Sequence, residues 1–274
     1  MIDLRSDTLT MPTEEMRKAA YEARVGDEGR TDAKGRGEDP TVNALEEMAA
    51  EITGKESALF VTSGTLGNLI ALMTYCSRGD AVAVERNLHV YRTEKAPFSE
   101  RVAGLKPIFY ETETSGKPDI VSIEELIAKT PVKALCLENT HNFAGGICLT
   151  ADDIKSIMSV AKKKDIPIHM DGARIFNAAV RLNATVSELA RPVDSVMFCL
   201  SKGLGAPVGS MLCGKGDFIF EARKTKKLVV RFINIFTYYL LYGIVSSKAK
   251  GGKLCQGGQV DQSLSLMIRS IKNF

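Results

Sequence analysis

The chain has 274 residues, 45% of them hydrophobic and 25% charged, which is long enough for a sizeable core and too apolar for a disordered chain. A formal net charge of +3 is too small to call for a nucleic-acid partner. The six cysteines form no CxxC pair and no Cys/His cluster with zinc spacing, so no metal site is expected. The opening residues, MIDLRSDTLTMP, carry charges and no apolar h-region, which reads as a cytoplasmic chain with reduced thiols.

Taken in chain order, strand-like and helix-like segments alternate. Asp39-Pro40 opens a helix, with Asp as N-cap, Pro at the first helical position, Val42, Leu45 and Ala49 along one face, and Gly54 past the end. Short apolar runs follow at Ala58–Thr62, Ala81–Glu85, Pro107–Glu111, Lys133–Glu138, Ile166–Met170, Ser195–Leu200 and Gly209–Cys213. They lack clean polar alternation, as strands buried on both faces do. Between them, Ser122 and Glu125 suggest a capping box, and Thr150 suggests the cap of a helix carrying Ile154, Ile157 and Ala161. This alternation predicts an α/β fold with a mostly parallel central sheet flanked by helices, whose ligand site lies beyond the carboxyl ends of the strands.

Chemistry-bearing residues follow those strands. Ser63-Gly64-Thr65 at a strand-to-helix junction suits an anion. His89 follows the second run, and Glu138-Asn139-Thr140-His141-Asn142 ends the fourth. Asp171-Gly172-Ala173-Arg174 follows the fifth, and Lys202 sits among small residues after the sixth. Each motif alone also suits a bland reading: a tight turn, a local salt bridge or a solvated lysine. As an ordered set they suit pyridoxal phosphate. That cofactor needs a phosphate cradle, a carboxylate for its ring nitrogen, and a secluded Lys, here 31 residues after the Asp.

Residues 1–227 resemble low-specificity threonine aldolases, in the β-eliminating-lyase group of fold-type-I pyridoxal-phosphate enzymes. The resemblance is carried by Leu4-Arg5-Ser6-Asp7-Thr8, Gly37-Glu38-Asp39-Pro40-Thr41, Ser63-Gly64-Thr65, Glu138–Asn142, His169–Arg174 and Ser201–Gly209. It implies that Lys202 holds the cofactor, Asp171 pairs with the pyridinium nitrogen, Gly64 and Thr65 bind the phosphate and His89 stacks on the ring. It further implies that Ser6 and Arg174 hold the substrate carboxylate and that His141 lines the pocket near the β-hydroxyl. The implied reaction is retro-aldol cleavage of threonine or allo-threonine to glycine and acetaldehyde by a homodimer or homotetramer. An impaired homologue, or another reaction on the same cofactor, is the alternative. His89, His141 and an ordered water all stand as candidate bases.

Two departures accompany the resemblance. Arg36 stands where the family has an aromatic residue, after a polar insertion at Glu28–Gly35. Beyond Lys227 the texture changes: residues 222–274 hold ten basic residues and one acidic, against 26 basic and 32 acidic in residues 1–221. Residues 228–274 therefore read as a divergent tail, with the family's small C-terminal domain largely missing. Leu228–Ser247 has the length of a membrane span, but Arg231 and Asn234 interrupt it, so no membrane partner is expected.

Overall fold

A computed structural model describes residues 5–229; the tail readings beyond Val229 lie outside the described residues. The strands are β1 (Ser57–Val61), β2 (Ala81–Val84), β3 (Lys106–Phe109), β4 (Ala134–Glu138), β5 (Ile168–Asp171), β6 (Ser195–Cys199) and β7 (Ser210–Gly214). The helices are α1 (Glu14–Tyr21), α2 (Pro40–Thr53), α3 (Gly64–Tyr75), α4 (Ile120–Lys129), α5 (Ala151–Lys162), α6 (Ile175–Leu182), α7 (Val186–Ala190) and α8 (Gly216–Val229). Each expected apolar run overlaps one of these strands, with ends shifted by no more than a residue or two. The described residues divide into two compact units, 5–63 with 199–229, and Gly64–Phe198.

In the second unit the strands lie in the order β6-β5-β4-β2-β3, and every pairing is parallel. β4, β5 and β6 are buried along their whole lengths, which accounts for their continuous apolar runs. α4 and α5 pack together, and Ile123, Leu126, Ile154 and Ile157 on them are buried. The cap of α4 differs from expectation. Asp119 caps it, its Oδ1 accepting the backbone N–H groups of Val121 and Ser122. Ser122 lies inside the helix and its Oγ accepts the Glu111 N–H instead. An Asp three residues upstream outcompetes Ser because its charge also complements the helix dipole. α5 follows expectation, with Thr150 and Asp153 forming a reciprocal capping box.

The first unit is built on an antiparallel pair, β1 with β7, in register from Ser57↔Gly214 to Val61↔Ser210. α2 packs on β1, and its Val42, Leu45 and Ala49 are buried. Asp39 caps it, accepting the N–H groups of Thr41 and Val42, and Gly54 ends it in the left-handed conformation at φ 64°.

A buried ion pair joins these elements. Glu46 on α2 and Arg223 on α8 are 3% and 8% exposed and form a two-pronged contact, Nη1 to Oε1 at 3.2 Å and Nη2 to Oε2. Nη2 also donates to the Ala58 carbonyl at 2.9 Å, and Oε1 accepts the Phe60 N–H at 2.9 Å. The pair thereby satisfies backbone groups of β1 as well as itself, which a buried charge pair needs in order to repay its desolvation. Removing only the cation, with Arg223→Met, is expected to cost about 3–5 kcal/mol in urea unfolding. Adding Glu46→Gln to that variant should recover part of the loss.

Candidate active site

The parallel register aligns the carboxyl ends of β4 and β5, so Glu138 lies opposite Asp171. Both are buried, at 5% and 3% exposed. Burial, followed by the charge of Asp171, pushes Glu138 up to about 7. Glu138 uses its two oxygens to tie two segments together: Oε2 accepts the His89 backbone N–H at 2.6 Å and Oε1 that of Asn142 at 2.8 Å. Asp171 accepts the Ala173 N–H on Oδ1 at 3.0 Å and the Asn68 side-chain amide on Oδ2 at 2.9 Å. Gly172 follows because a Cβ there would come within 2.9 Å of Val196 Cγ2 and 3.0 Å of the Met197 carbonyl.

The two strand-end histidines differ in what they leave available. His89 is half-buried, and its Nδ1 lies 3.0 Å from Glu94 Oε1. A carboxylate there accepts, so Nδ1 carries a hydrogen and the Nε2 lone pair is left for a ligand. The hydrogen bond to Glu94 raises His89 above its ordinary value, against the opposing effect of burial. His141 is buried. Its Nδ1 accepts the Ala144 N–H at 3.2 Å, which puts the hydrogen on Nε2, 3.1 Å from Glu85 Oε2. Burial acts to raise Glu85, but the bonds from His141 and Asn87 outweigh it and leave Glu85 lowered. Both ring nitrogens of His141 are thus committed to the protein.

Gly64 and Thr65 open α3, so their N–H groups lie in its first turn, where helix N–H groups lack intrahelical acceptors. Arg174 precedes α6, and its Nη1 donates to Asn142 Oδ1 at 3.3 Å. The second unit carries Gly64, Thr65, His89, His141, Asp171 and Arg174, and of these His89 and Asp171 place ligand-type atoms within 4.8 Å of each other. The first unit carries the other two expected residues. Ser6 is exposed and caps a short 3-10 turn, accepting the Thr8 N–H at 3.2 Å. Lys202 is half-buried in the loop between β6 and β7, its carbonyl accepting the Gly205 N–H at 2.8 Å.

Sequence reasoning assigned no role to Glu85, Glu94, Glu138, Asn68 or His169. His169 and Glu138 stood inside quoted motifs, and a histidine in the middle of an apolar run was the available signal. Glu94 gave none. His89, Glu94 and Asp171 place one ligand-type atom each within 4.8 Å of one another. Those atoms already serve hydrogen bonds among Asn68, His89 and the two acids.

A mostly parallel sheet bearing acids and histidines at its strand ends is the architecture of fold-type-I pyridoxal-phosphate enzymes. The solved structure of Leishmania major threonine aldolase shares it, with a TM-score of 0.74 at 17% identity, covering 97% of this chain and 75% of that one. The chain belongs to the beta-eliminating lyase family, whose model matches residues 3–245, running past Lys227 beyond the described residues. Low-specificity L-threonine aldolase 1 of Arabidopsis thaliana is 42% identical over 234 residues, covering 82% of this chain and 63% of the relative. The low specificity L-threonine aldolase of Escherichia coli O157:H7 is 39% identical over 233 residues, covering 83% and 67%. The chain spans between 58% and 67% of the length of relatives named threonine aldolase.

One buried group makes the site's stability depend on pH. Burial lowers His169 from 6.5 to about 4, against a smaller opposing effect of Asp171. The unfolded chain therefore takes up the proton first, so stability is full above 6.5 and falls as pH drops from there toward 4. Denaturant unfolding should show a loss of about 2 kcal/mol from this group between pH 7 and pH 5. His169→Gln should remove that part of the slope.

Proposed function

We propose that this chain carries the catalytic large domain of a pyridoxal-phosphate-dependent aldehyde-lyase that cleaves threonine or allo-threonine to glycine and acetaldehyde. The observation that carries the reading is the buried Asp171 carboxylate at the end of β5, oriented by two donors and set among the strand-end histidines. The residues fit the cofactor. Gly64 and Thr65 offer first-turn N–H groups to a phosphate, and Asp171 offers an oriented carboxyl oxygen to a protonated ring nitrogen. His89 offers a flat, half-buried face, and Lys202 an amine on a glycine-bearing loop. When bound, pyridoxal phosphate supplies an electron-withdrawing ring that stabilises negative charge at Cα.

The remaining work falls to side chains. Asp171 holds the proton of the ring nitrogen by charge. Ser6 and Arg174 bind the substrate carboxylate, the guanidinium in a planar grip that suits it. His89 takes the proton of the β-hydroxyl at Nε2, the nitrogen that its bond to Glu94 leaves basic, and the Cα–Cβ bond then breaks with release of the aldehyde. His141, with both nitrogens engaged, shapes the pocket rather than moving the proton. The working form is a cytoplasmic homodimer or homotetramer. No helix among the described residues is long and apolar enough to cross a membrane.

Incubation of the purified chain with pyridoxal phosphate and threonine should yield glycine and acetaldehyde in equal amounts. Borohydride should fix the cofactor on Lys202, and Lys202→Ala should reduce turnover at least about a thousandfold. A keto-acid product would indicate a different reaction on the same cofactor. A folded chain that takes up no cofactor would refute the activity.

The base assignment has its own check. His89 must be neutral to accept a proton, so turnover should rise with pH through a midpoint above 6.5, the direction that Glu94 imposes. Glu94→Gln should move that midpoint downward. An unmoved midpoint would assign the limb to another group.

A further inference from the structure

Asn68, on α3, is fully buried, and its single amide meets three partners. Nδ2 lies 2.9 Å from Asp171 Oδ2 and 3.0 Å from Glu94 Oε1, and Oδ1 lies 3.0 Å from His169 Nε2. His169 lies two residues before Asp171 on β5, hence on the same face of the strand, and is 1% exposed. Its Nδ1 lies 2.9 Å from the Oγ of Ser195, the residue opposite it on β6. The Ser195 hydroxyl also meets that of Tyr75.

Only one set of hydrogen directions satisfies this chain. Two carboxyl groups face one amide, so the amide must turn its NH₂ toward them and its oxygen toward His169. His169 then has to carry its hydrogen on Nε2 to meet that oxygen. Its Nδ1 is left as an acceptor, so Ser195 donates to it and the Tyr75 hydroxyl donates to Ser195. The direction runs Tyr75, Ser195, His169, Asn68, Asp171, with donors pointing throughout toward the carboxylate. The reverse arrangement would set the amide oxygen against two acids. A charged His169 would give its Nδ1–H to Ser195 and turn both hydroxyls round, but its full burial favours the neutral form, for which this one set of directions stands.

We propose that Asn68 and His169 are positioning residues which, by the direction of their hydrogen bonds, hold Asp171 as an oriented, acceptor-only carboxylate for the cofactor ring. The proposal rests on the cofactor reading above. Asp171 sits opposite Glu138 and near Glu94, neither of which offers it a hydrogen as an ionised acid. The Asn68 amide supplies the donor, which fixes Oδ2 as an acceptor and sets its direction. The remaining hydrogen of the amide goes to Glu94, so the same group also sets the acid that orients His89.

The test combines cofactor affinity with a direct reading of the histidine. In the apoprotein, ¹⁵N NMR of His169, assigned with His169→Gln, should show the neutral ring with its hydrogen on Nε2 at pH 7. A hydrogen on Nδ1 would overturn the proposal without reference to any cofactor. Pyridoxal phosphate titrated into the full chain should bind about tenfold more weakly in Asn68→Leu, the range for a lost bond to a charged group. In the Asp171→Asn background the same change should cost much less, because the two act through one contact. His169→Leu should weaken binding, and His169→Gln, which keeps both a donor and an acceptor, should restore it to within about threefold. Unchanged affinity in Asn68→Leu, or full additivity with Asp171→Asn, would overturn the proposal while leaving the cofactor reading standing. Unchanged affinity in Asp171→Asn would overturn the cofactor reading itself, and the proposal with it.

Discussion

Two carboxyl groups end neighbouring parallel strands in register, and the site around them is arranged to make that arrangement tolerable. Glu138 and Asp171 cannot be moved apart without slipping β4 against β5, and such a slip would turn every buried side chain of a strand to the wrong face. Both acids therefore stay, and donors gather around them. Glu138 receives backbone N–H groups from His89 and Asn142, and Asp171 receives the backbone N–H of Ala173 and the side-chain amide of Asn68. The compensation is unequal. Burial, followed by the charge of Asp171, pushes the Glu138 carboxyl up to about 7, and Glu138 takes only main-chain donors whereas Asp171 also takes a side-chain amide.

The histidines show the same logic applied to a ring with two nitrogens. What a histidine can do depends on which nitrogen the protein has already claimed. His89 gives its Nδ1 to Glu94 and keeps the other for a ligand. His141 gives both away, to Ala144 and Glu85. His169 gives both away too, and lies deep enough to stay neutral. Three residues of one type thereby become a reactive group, a loop brace and a relay of orientation.

Much of this was legible in the sequence, for identifiable reasons. Parallel strands buried on both faces read as unbroken apolar runs, so β4, β5 and β6 stood out and the residues after them were natural candidates. Asp39-Pro40 and Thr150 announced their helices because caps are local chemistry. α4 was misread at its cap because two candidate caps, Asp119 and Ser122, lie three residues apart, and spacing alone does not rank them. The direction of the His141 ring was illegible because it depends on Glu85, which lies 56 residues away. Asn68 carried no signal in the sequence, since its partners Asp171 and His169 are more than a hundred residues distant. The fold is visible in local pattern, whereas hydrogen-bond direction exists only once distant segments meet.

The way Glu138 holds its neighbours has a consequence for how this site tolerates change. Its carboxyl grips the main chain at positions 89 and 142, not their side chains. Every residue except proline presents the same N–H there. Architecture and chemistry are thereby uncoupled: the loops keep their anchorage whatever side chains they display. A lineage can exchange the groups facing the substrate while the frame beneath remains in place, and new selectivity on this sheet need not begin with a new scaffold.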